Sequence, residues 1–376
     1  MPASNLLTHS RLATSRRCKR EERIKYVLGY RPVVDAEELF FGSLIHLGLE
    51  AWWKGVQAGL IPDEWLNRAL AALKAVKADP FVMARAEVMV MGYHARWESE
   101  AAYYEVLGVE ERFECEVVNP DTGASSRTWR LGGKLDVRVR DRRDGQVKFV
   151  EHKTSAADIS PGNNYWLRLR MDAQISVYHD GCEALGTPAQ SCIYDVLAKP
   201  QQRPSQVPLA DEHGNKIVLD AKGERVRTAQ GKWRQTGDTV QGYVLQTRPE
   251  TPDEYKKRLV DTICGEPDRY FGRAEVVRLE QEIIDSRADI WAQGRELADG
   301  HRLGRAHRNP EACSRNGKMC AFFDVCTGAA SLDDPRLFRK VDNVHPELAA
   351  ESADENPAAA GATSSDSGHR PREVGT

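Results

Sequence analysis

At 376 residues with 41% apolar side chains, the chain can form one large domain or two ordinary ones around a substantial core. No run approaches the roughly 18 consecutive apolar residues of a membrane span, and Met1-Pro2-Ala3-Ser4-Asn5 is no basic then apolar leader, so the expectation is a soluble, cytoplasmic protein with no membrane partner. The net charge is −3, but Val341 to Thr376 holds seven acidic and two basic residues; the tail carries −5 and the body +2, which neither supports nor excludes a nucleic-acid partner.

Along the chain, Ser10 is placed to cap a helix beginning at Arg11. A second helix is expected from about Glu37 to Gln57, with Leu39, Phe40, Leu44, Leu47 and Leu49 as its apolar set and His46 among them. Helical patterns continue over Asp63 to Lys77 and over Pro80 to Tyr104, where Pro80 suits a first turn. At Arg112 the pattern changes to alternation and β-branched residues. Strands are expected over Arg112 to Asn119, Thr128 to Arg140 and Gln146 to Thr154, separated by turns at Asp121-Thr122-Gly123 and Asp144-Gly145. A helix over Tyr165 to Leu185 and a strand over Ser191 to Leu197 follow. The polar stretch Pro200 to Gly242 predicts a hairpin insertion, and helices resume over Pro252 to Val260 and Ala274 to Leu297. The chain thus divides into a flexible 1–9, a helical segment 10–110, a core 111–199, an insertion 200–242, a helical segment 243–330 and an acidic disordered tail 341–376. No Gly-x4-Gly-Lys-Ser/Thr phosphate loop occurs, so a fused ATP-driven motor is not indicated.

If Asp144-Gly145 is a two-residue turn, Asp136 faces Lys153 and Glu151 faces Arg138. Two carboxylates and an amine then share one face of the hairpin, while Leu135, Val137, Val139 and Val150 pack the other. Such a group suits magnesium, with the lysine beside it to orient a water or meet charge growing on a phosphate. An ordinary solvated hairpin face is the alternative. Basic runs at Arg16-Arg17-Cys18-Lys19-Arg20, Arg138 to Arg143 and Arg302 to Arg308 would supply phosphate contacts if they share a surface.

Eight cysteines in a cytosolic chain are not expected to pair as disulfides. Cys115, Cys182, Cys192 and Cys264 sit singly in apolar or strand-like surroundings and read as small buried hydrophobes. Cys18 and the run Cys313, Cys320, Cys326 differ: four thiolates suffice for a metal centre, iron–sulfur or zinc, and spacing alone does not separate the two.

Taken together, these motifs resemble the RecB-like branch of the PD-(D/E)XK nuclease superfamily. Gly42-Ser43-Leu44-Ile45-His46-Leu47-Gly48-Leu49-Glu50 is similar to its first motif, Gly133-Lys134-Leu135-Asp136 to its second and Glu151-His152-Lys153 to its third. Gln174-Ile175-Ser176-Val177-Tyr178 is similar to its helical Gln-x3-Tyr motif. The resemblance implies an α/β, restriction-endonuclease-like core with a mixed sheet flanked by helices. It also implies magnesium or manganese held by His46, Asp136, Glu151 and the His152 carbonyl. Lys153 would assist the attacking water, and Gln174 and Tyr178 would hold DNA or the site. Cys18 with Cys313, Cys320 and Cys326 is similar to the iron–sulfur arrangement of AddB-type and CRISPR-associated Cas-four nucleases, which implies a 4Fe–4S cluster joining the two helical segments. The Cys313-x6-Cys320 spacing is wider than the Cys-x2-Cys common there, and Lys19 stands where a proline is often found. The implied activity is DNA exonuclease action, on single-stranded ends, in recombination, repair or foreign-DNA processing in a bacterium or its phage. A DNA-binding scaffold without catalysis, a zinc-stapled nuclease, or a nuclease awaiting a protein partner at its acidic tail are the alternatives.

Overall fold

The computed structural model describes residues 5–33, 37–315 and 317–348; Met1 to Ser4 and residues 349–376 of the expected tail lie outside the described residues. After the short strand β1 (Leu6–Leu7) comes α1 (His9–Arg17), capped by Thr8. The expected cap Ser10 lies inside α1. Thr8 takes the role because its backbone is extended and its hydroxyl accepts the Arg11 N–H at 3.2 Å. Helices α2 (Glu37–Gln57), α3 (Pro62–Lys74) and α4 (Pro80–Ala101) complete the helical third, with Asp79 capping α4 through the Phe81 and Val82 N–H groups.

The sheet follows as β2 (Tyr104–Val118), β3 (Ser125–Asp141) and β4 (Val147–Ser155). Strand β2 begins well before the expected Arg112, because pairing with β3 extends out to Tyr104 opposite Asp141. The expected helix over Tyr165 to Leu185 is interrupted. Short turns at Asn164–Leu167 and Arg168–Met171 precede α5 (Ala173–Ala184), and Asp172, extended, caps α5 by accepting the Gln174 N–H at 2.9 Å. Strand β5 (Ser191–Ala198) is buried along its whole length. After α6 (Pro252–Gly265) the expected helix from Ala274 begins instead as a strand, β6 (Phe271–Val277), and α7 spans Glu280–Arg302. β6 pairs with β5 from Phe271 opposite Leu197 to Val277 opposite Ser191, covering an edge that would otherwise expose unpaired backbone.

The six strands form one mixed sheet in the order β2-β3-β4-β5-β6, with β1 sharing the β4 edge of β3. β4 runs parallel to β5 and antiparallel to β3; β1 runs parallel to β3 at Arg130 and Leu131. This is the mixed α/β architecture expected of the core. Trp52 and Trp53 of α2 and Tyr93 of α4 are fully buried, with the Trp53 and Tyr93 rings 6.3 and 5.9 Å from the His152 ring of β4, while Phe149 packs on Tyr178 and His179 on the other face of the sheet. Between β5 and α6 the insertion is built of short antiparallel pairs, Gln206–Pro208 with Thr247–Pro249 and Val218–Leu219 with Val244–Leu245.

The two ends of the described chain are locked to the body. Arg11 is buried; it donates through Nε to Glu22 at 2.9 Å and through Nη1 to the Leu6 carbonyl at 3.0 Å, and it lies 4.8 Å over Trp129. Phe338–Lys340 pairs with Tyr30–Pro32. Beyond it the Arg31 guanidinium holds the Val344 carbonyl at 2.8 Å, and the Thr8 hydroxyl donates to Glu347 at 2.6 Å. The solvated extension expected from Val341 therefore does not hold over 341–348.

Glu22→Ala would take from the buried Arg11 guanidinium the carboxylate it binds at 2.9 Å, so we expect a loss of about 3–5 kcal/mol in urea unfolding; a loss under about 1 kcal/mol would show the pair to be dispensable.

Candidate active site

Strands β3 and β4 pair from Arg140 opposite Val147 to Val137 opposite Val150. The loop runs from Arg142 to Gly145, closed by the Asp141 N–H on the Gln146 carbonyl at 2.9 Å, with Gly145 at φ 74°. The two-residue turn expected at Asp144-Gly145 is thus replaced by a longer one, and the register moves by two residues. Asp136 consequently faces Glu151 and not Lys153. Arg138 lies opposite Phe149 and binds Glu111 at 2.6 and 2.9 Å. An even shift preserves which face each side chain takes, so the expected grouping of Asp136, Glu151 and Lys153 survives. Past Val137 and Val150 the strands part. The His152 N–H, lacking a ladder partner there, donates to Asp136 Oδ2 at 2.8 Å.

His46, Asp136, Glu151, Lys153, Gln174 and Tyr178 all line one cleft of about 220 Å³, together with Thr8, His9, Ser10, Ser43, Glu110, Lys134 and Glu347. His46 Nδ1 lies 3.7 Å from Asp136 Oδ1. The Lys153 ammonium binds Glu151 Oε1. Gln174 Nε2 donates to the same oxygen at 2.9 Å and to Tyr178 Oη at 2.8 Å, one helical turn on. Glu151 Oε2 is buried with no hydrogen-bond partner among the described residues. Gly133 explains its own presence: a Cβ there would stand 2.6 Å from the Phe113 ring and 3.2 Å from Tyr178, so a side chain would push both rings off the cleft wall.

His152 points its ring to the opposite face. Trp53 Nε1 donates to its Nε2 at 3.1 Å, leaving Nδ1, 3.4 Å from Asp136 Oδ2, to carry the proton. Behind it the Tyr93 hydroxyl donates to Asp195 at 2.9 Å and Arg273 to the same oxygen at 2.8 Å, all within the core. None of this support is marked by spacing in the sequence, because Trp53 and Tyr93 occupy ordinary apolar helix faces.

Glu110 also escaped the sequence reading. The ligand atoms of His46, Glu110 and Asp136 lie within 4.8 Å of one another. Val109 pairs with Val137 and Glu111 with Leu135, which sets Glu110 across from Asp136, at φ 55°. The Glu110-Glu111 doublet, breaking strand alternation, was the available signal. Two carboxylates and an imidazole, with the unpartnered Glu151 oxygen nearby, fit a divalent cation.

The charges are strained against one another. Burial pushes Glu151 up to about 8, opposed by Lys153 and reinforced by Asp136. Burial and the Asp136 charge push Glu110 up to about 7 although Lys134 is paired with it. Burial would raise Asp136 too, but His46, His152 and Lys153 together hold it below the ordinary carboxylate range. Burial lowers His46. It also works against the Lys153 ammonium, which Glu151 and Asp136 nevertheless hold above its usual value.

The cysteines Cys18, Cys313, Cys320 and Cys326 line a second cavity with Ile24 and Phe322. Hydrogen bonds lash its walls: the Asn309 side-chain Nδ2 to the Arg17 carbonyl at 2.8 Å, the Arg20 N–H to the His307 carbonyl at 3.1 Å and the Cys320 N–H to the Cys313 carbonyl at 2.7 Å. The thiols are not drawn together. Among the described residues no three of them come within 4.8 Å of one another. Of the remaining cysteines, Cys182 and Cys192 are buried as expected, Cys115 is half-buried and Cys264 is exposed, on the solvent side of α6. The basic run Arg138 to Arg143 is largely committed internally, Arg138 to Glu111 and Arg143 to Asp141.

Residues 6–327 match the family model of the PD-(D/E)XK nuclease superfamily. The chain belongs to this superfamily. Membership in the PD-(D/E)XK superfamily implies a metal-dependent nuclease, a hydrolase with DNA as its substrate. Among curated proteins none matches the chain. No described helix is long and apolar enough to cross a membrane.

Glu110 and Glu151 must lose their protons to bind a cation. Their folded pKa values of about 7 and about 8 lie above the ordinary 4.5, so they favour the metal-free fold at low pH and that contribution fades as pH rises through these values. Magnesium or manganese should therefore raise Tm by more at about pH 8.5 than at about pH 6 in thermal-shift measurements. Equal shifts at both pH values would contradict carboxylate ligation by this pair.

Proposed function

We propose that the protein is a metal-dependent DNA exonuclease of RecB-like type, acting on single-stranded ends in recombination, repair or the processing of foreign DNA. The observation that carries the nuclease reading is the convergence of Asp136, Glu151 and Lys153 with His46, Gln174 and Tyr178 in one cleft, around a buried carboxylate oxygen with no hydrogen-bond partner among the described residues. A protein that only bound DNA would have no chemical need for that combination.

His46, Asp136 and Glu151 would hold the cation, with Glu110 as a further oxygen donor and the His152 carbonyl completing the set. When bound, the ion supplies Lewis-acid polarisation of a phosphodiester and lowers the pKa of a water. The chain does the rest. His152 fixes Asp136 through its backbone N–H, and Trp53 fixes the His152 ring. Lys153, held charged between Glu151 and Asp136, orients the attacking water and meets the negative charge that grows on the phosphate oxygens. Gln174 keeps Glu151 turned into the cleft and is itself braced by Tyr178.

The four thiols around one cavity fit a 4Fe–4S cluster better than zinc. A single zinc at about 2.3 Å from each sulfur would hold the sulfurs about 3.8 Å apart, whereas among the described residues no three of these thiols come within 4.8 Å of one another, and a cubane spans a wider opening. Its role would be a clasp between the first helices and the chain beyond α7.

Asp136→Ala and Lys153→Ala should each reduce magnesium- or manganese-dependent digestion of end-labelled DNA by at least about a thousandfold; full activity in either variant removes the proposed site. Anaerobically purified protein should contain iron and absorb in the visible range, and Cys313→Ala should lose both colour and thermal stability. Zinc in place of iron would exclude the cluster while leaving the nuclease assignment intact.

A further inference from the structure

Between β4 and α5 the chain makes a compact double turn, Asn164–Leu167 followed by Arg168–Met171. Its inner side is anchored. Tyr165 and Leu169 are buried, Trp166 Nε1 donates to the Ile159 carbonyl at 2.9 Å, and Arg278 holds the Leu169 and Asp172 carbonyls at 2.7 and 3.0 Å. Its outer side is apolar and charged at once: Leu167 is 58% and Met171 89% exposed.

Two large apolar side chains held exposed on one anchored turn make a small preformed contact patch. Arg168 and Arg170 stand between them, also exposed. Arg168 lies 4.1 Å over the Tyr165 ring and meets the Tyr194 hydroxyl at 3.4 Å. Neither arginine takes part in any ion pair found among the described residues. The turn lies just outside the residues that line the cleft and joins it through the residues that follow. It leads directly into Asp172, whose charge bears on Glu151 and Lys153, and then into Gln174, which binds Glu151.

Resting on the nuclease reading, we propose that the Leu167–Met171 turn grips a single nucleic-acid strand at the mouth of the cleft. Arg168 and Arg170 contact phosphates, and Leu167 and Met171 pack against unstacked bases, so that the strand is aimed at Asp136 and Glu151. Charge decides the occupant: two guanidinium groups without an ion pair among the described residues, set between exposed apolar side chains, match a chain that alternates phosphates with flat apolar faces.

The test is binding of a fluorescent oligothymidylate to the full chain, followed by anisotropy over a range of salt concentrations with calcium in place of magnesium. The double variant L167S/M171S should bind about tenfold more weakly than the unaltered protein. Arg170→Ala should weaken binding about threefold and lower the slope of log affinity against log salt by about 0.7, the loss of one single-strand phosphate contact. Both changes are at exposed positions, and an unchanged Tm confirms that the fold is intact. If the unaltered protein binds and both variants bind equally well, the proposal is overturned and the face belongs to a protein partner. If the unaltered protein does not bind the oligonucleotide at all, the proposal fails together with the single-stranded substrate, while metal-dependent digestion of duplex DNA would leave the nuclease reading standing.

Discussion

The pairing of β3 with β4 stops at Val137 and Val150, and the chemistry of the cleft depends on that stop. Had the ladder continued, the His152 N–H would have gone to a backbone carbonyl and Asp136 would have lain flat on a closed sheet. Because the strands part, the freed N–H is taken by the Asp136 carboxylate. β4 keeps its direction through parallel pairing with β5 as far as Ser155 opposite Ala198, so Glu151 and Lys153 are held firmly on one side while β3 turns away toward β1. An opening between two rigid strands is the simplest way to place several carboxylates together without a mobile loop.

Such an arrangement is unfavourable by itself. Glu110, Asp136 and Glu151 converge on a volume in which Lys134, Lys153 and His46 balance them only in part, and two of the carboxyls are pushed toward neutrality. Like charges brought opposite one another across a strand pair are destabilising, and the stability of the surrounding core offsets that cost. The support is visible in the layer beneath: Trp53, Tyr93, Asp195 and Arg273 form a buried polar chain behind His152 whose members leave it one orientation. Once its carboxyls ionise, such a site carries surplus negative charge in a fixed frame and takes a cation without having to reorganise, which is the condition for a preorganised centre.

Closure of the chain upon itself completes the cleft. Thr8, His9 and Ser10 at the start of α1 and Glu347 near the end of the described chain line the same cavity as Asp136, and Arg11 fastens α1 to Glu22, Leu6 and Trp129. The cysteine cavity sits on the same junction, against the small apolar cluster of Ile24, Phe322 and Phe338. Residues more than three hundred positions apart therefore share one wall.

Local pattern carried much of this. The helix Glu37–Gln57 follows from its apolar spacing, the strands from alternation, and Asp136, Glu151 and Lys153 from motifs whose side-chain parity an even register shift could not disturb. What local pattern could not reach was anything decided between segments. The strand at Phe271–Val277 forms because β5 has an edge to cover, although Ala274 onward reads as helix. The hairpin register follows the longer Arg142–Gly145 loop and not the favoured dipeptide. Glu110 joins the site only through its position across from Asp136, and Trp53 acquires a role only because His152 arrives beneath it. The sequence by itself determined which residues could do the chemistry, since that rests on side-chain type and on the periods of helix and strand. The tertiary structure alone decided which of them meet, since that rests on packing between elements distant along the chain.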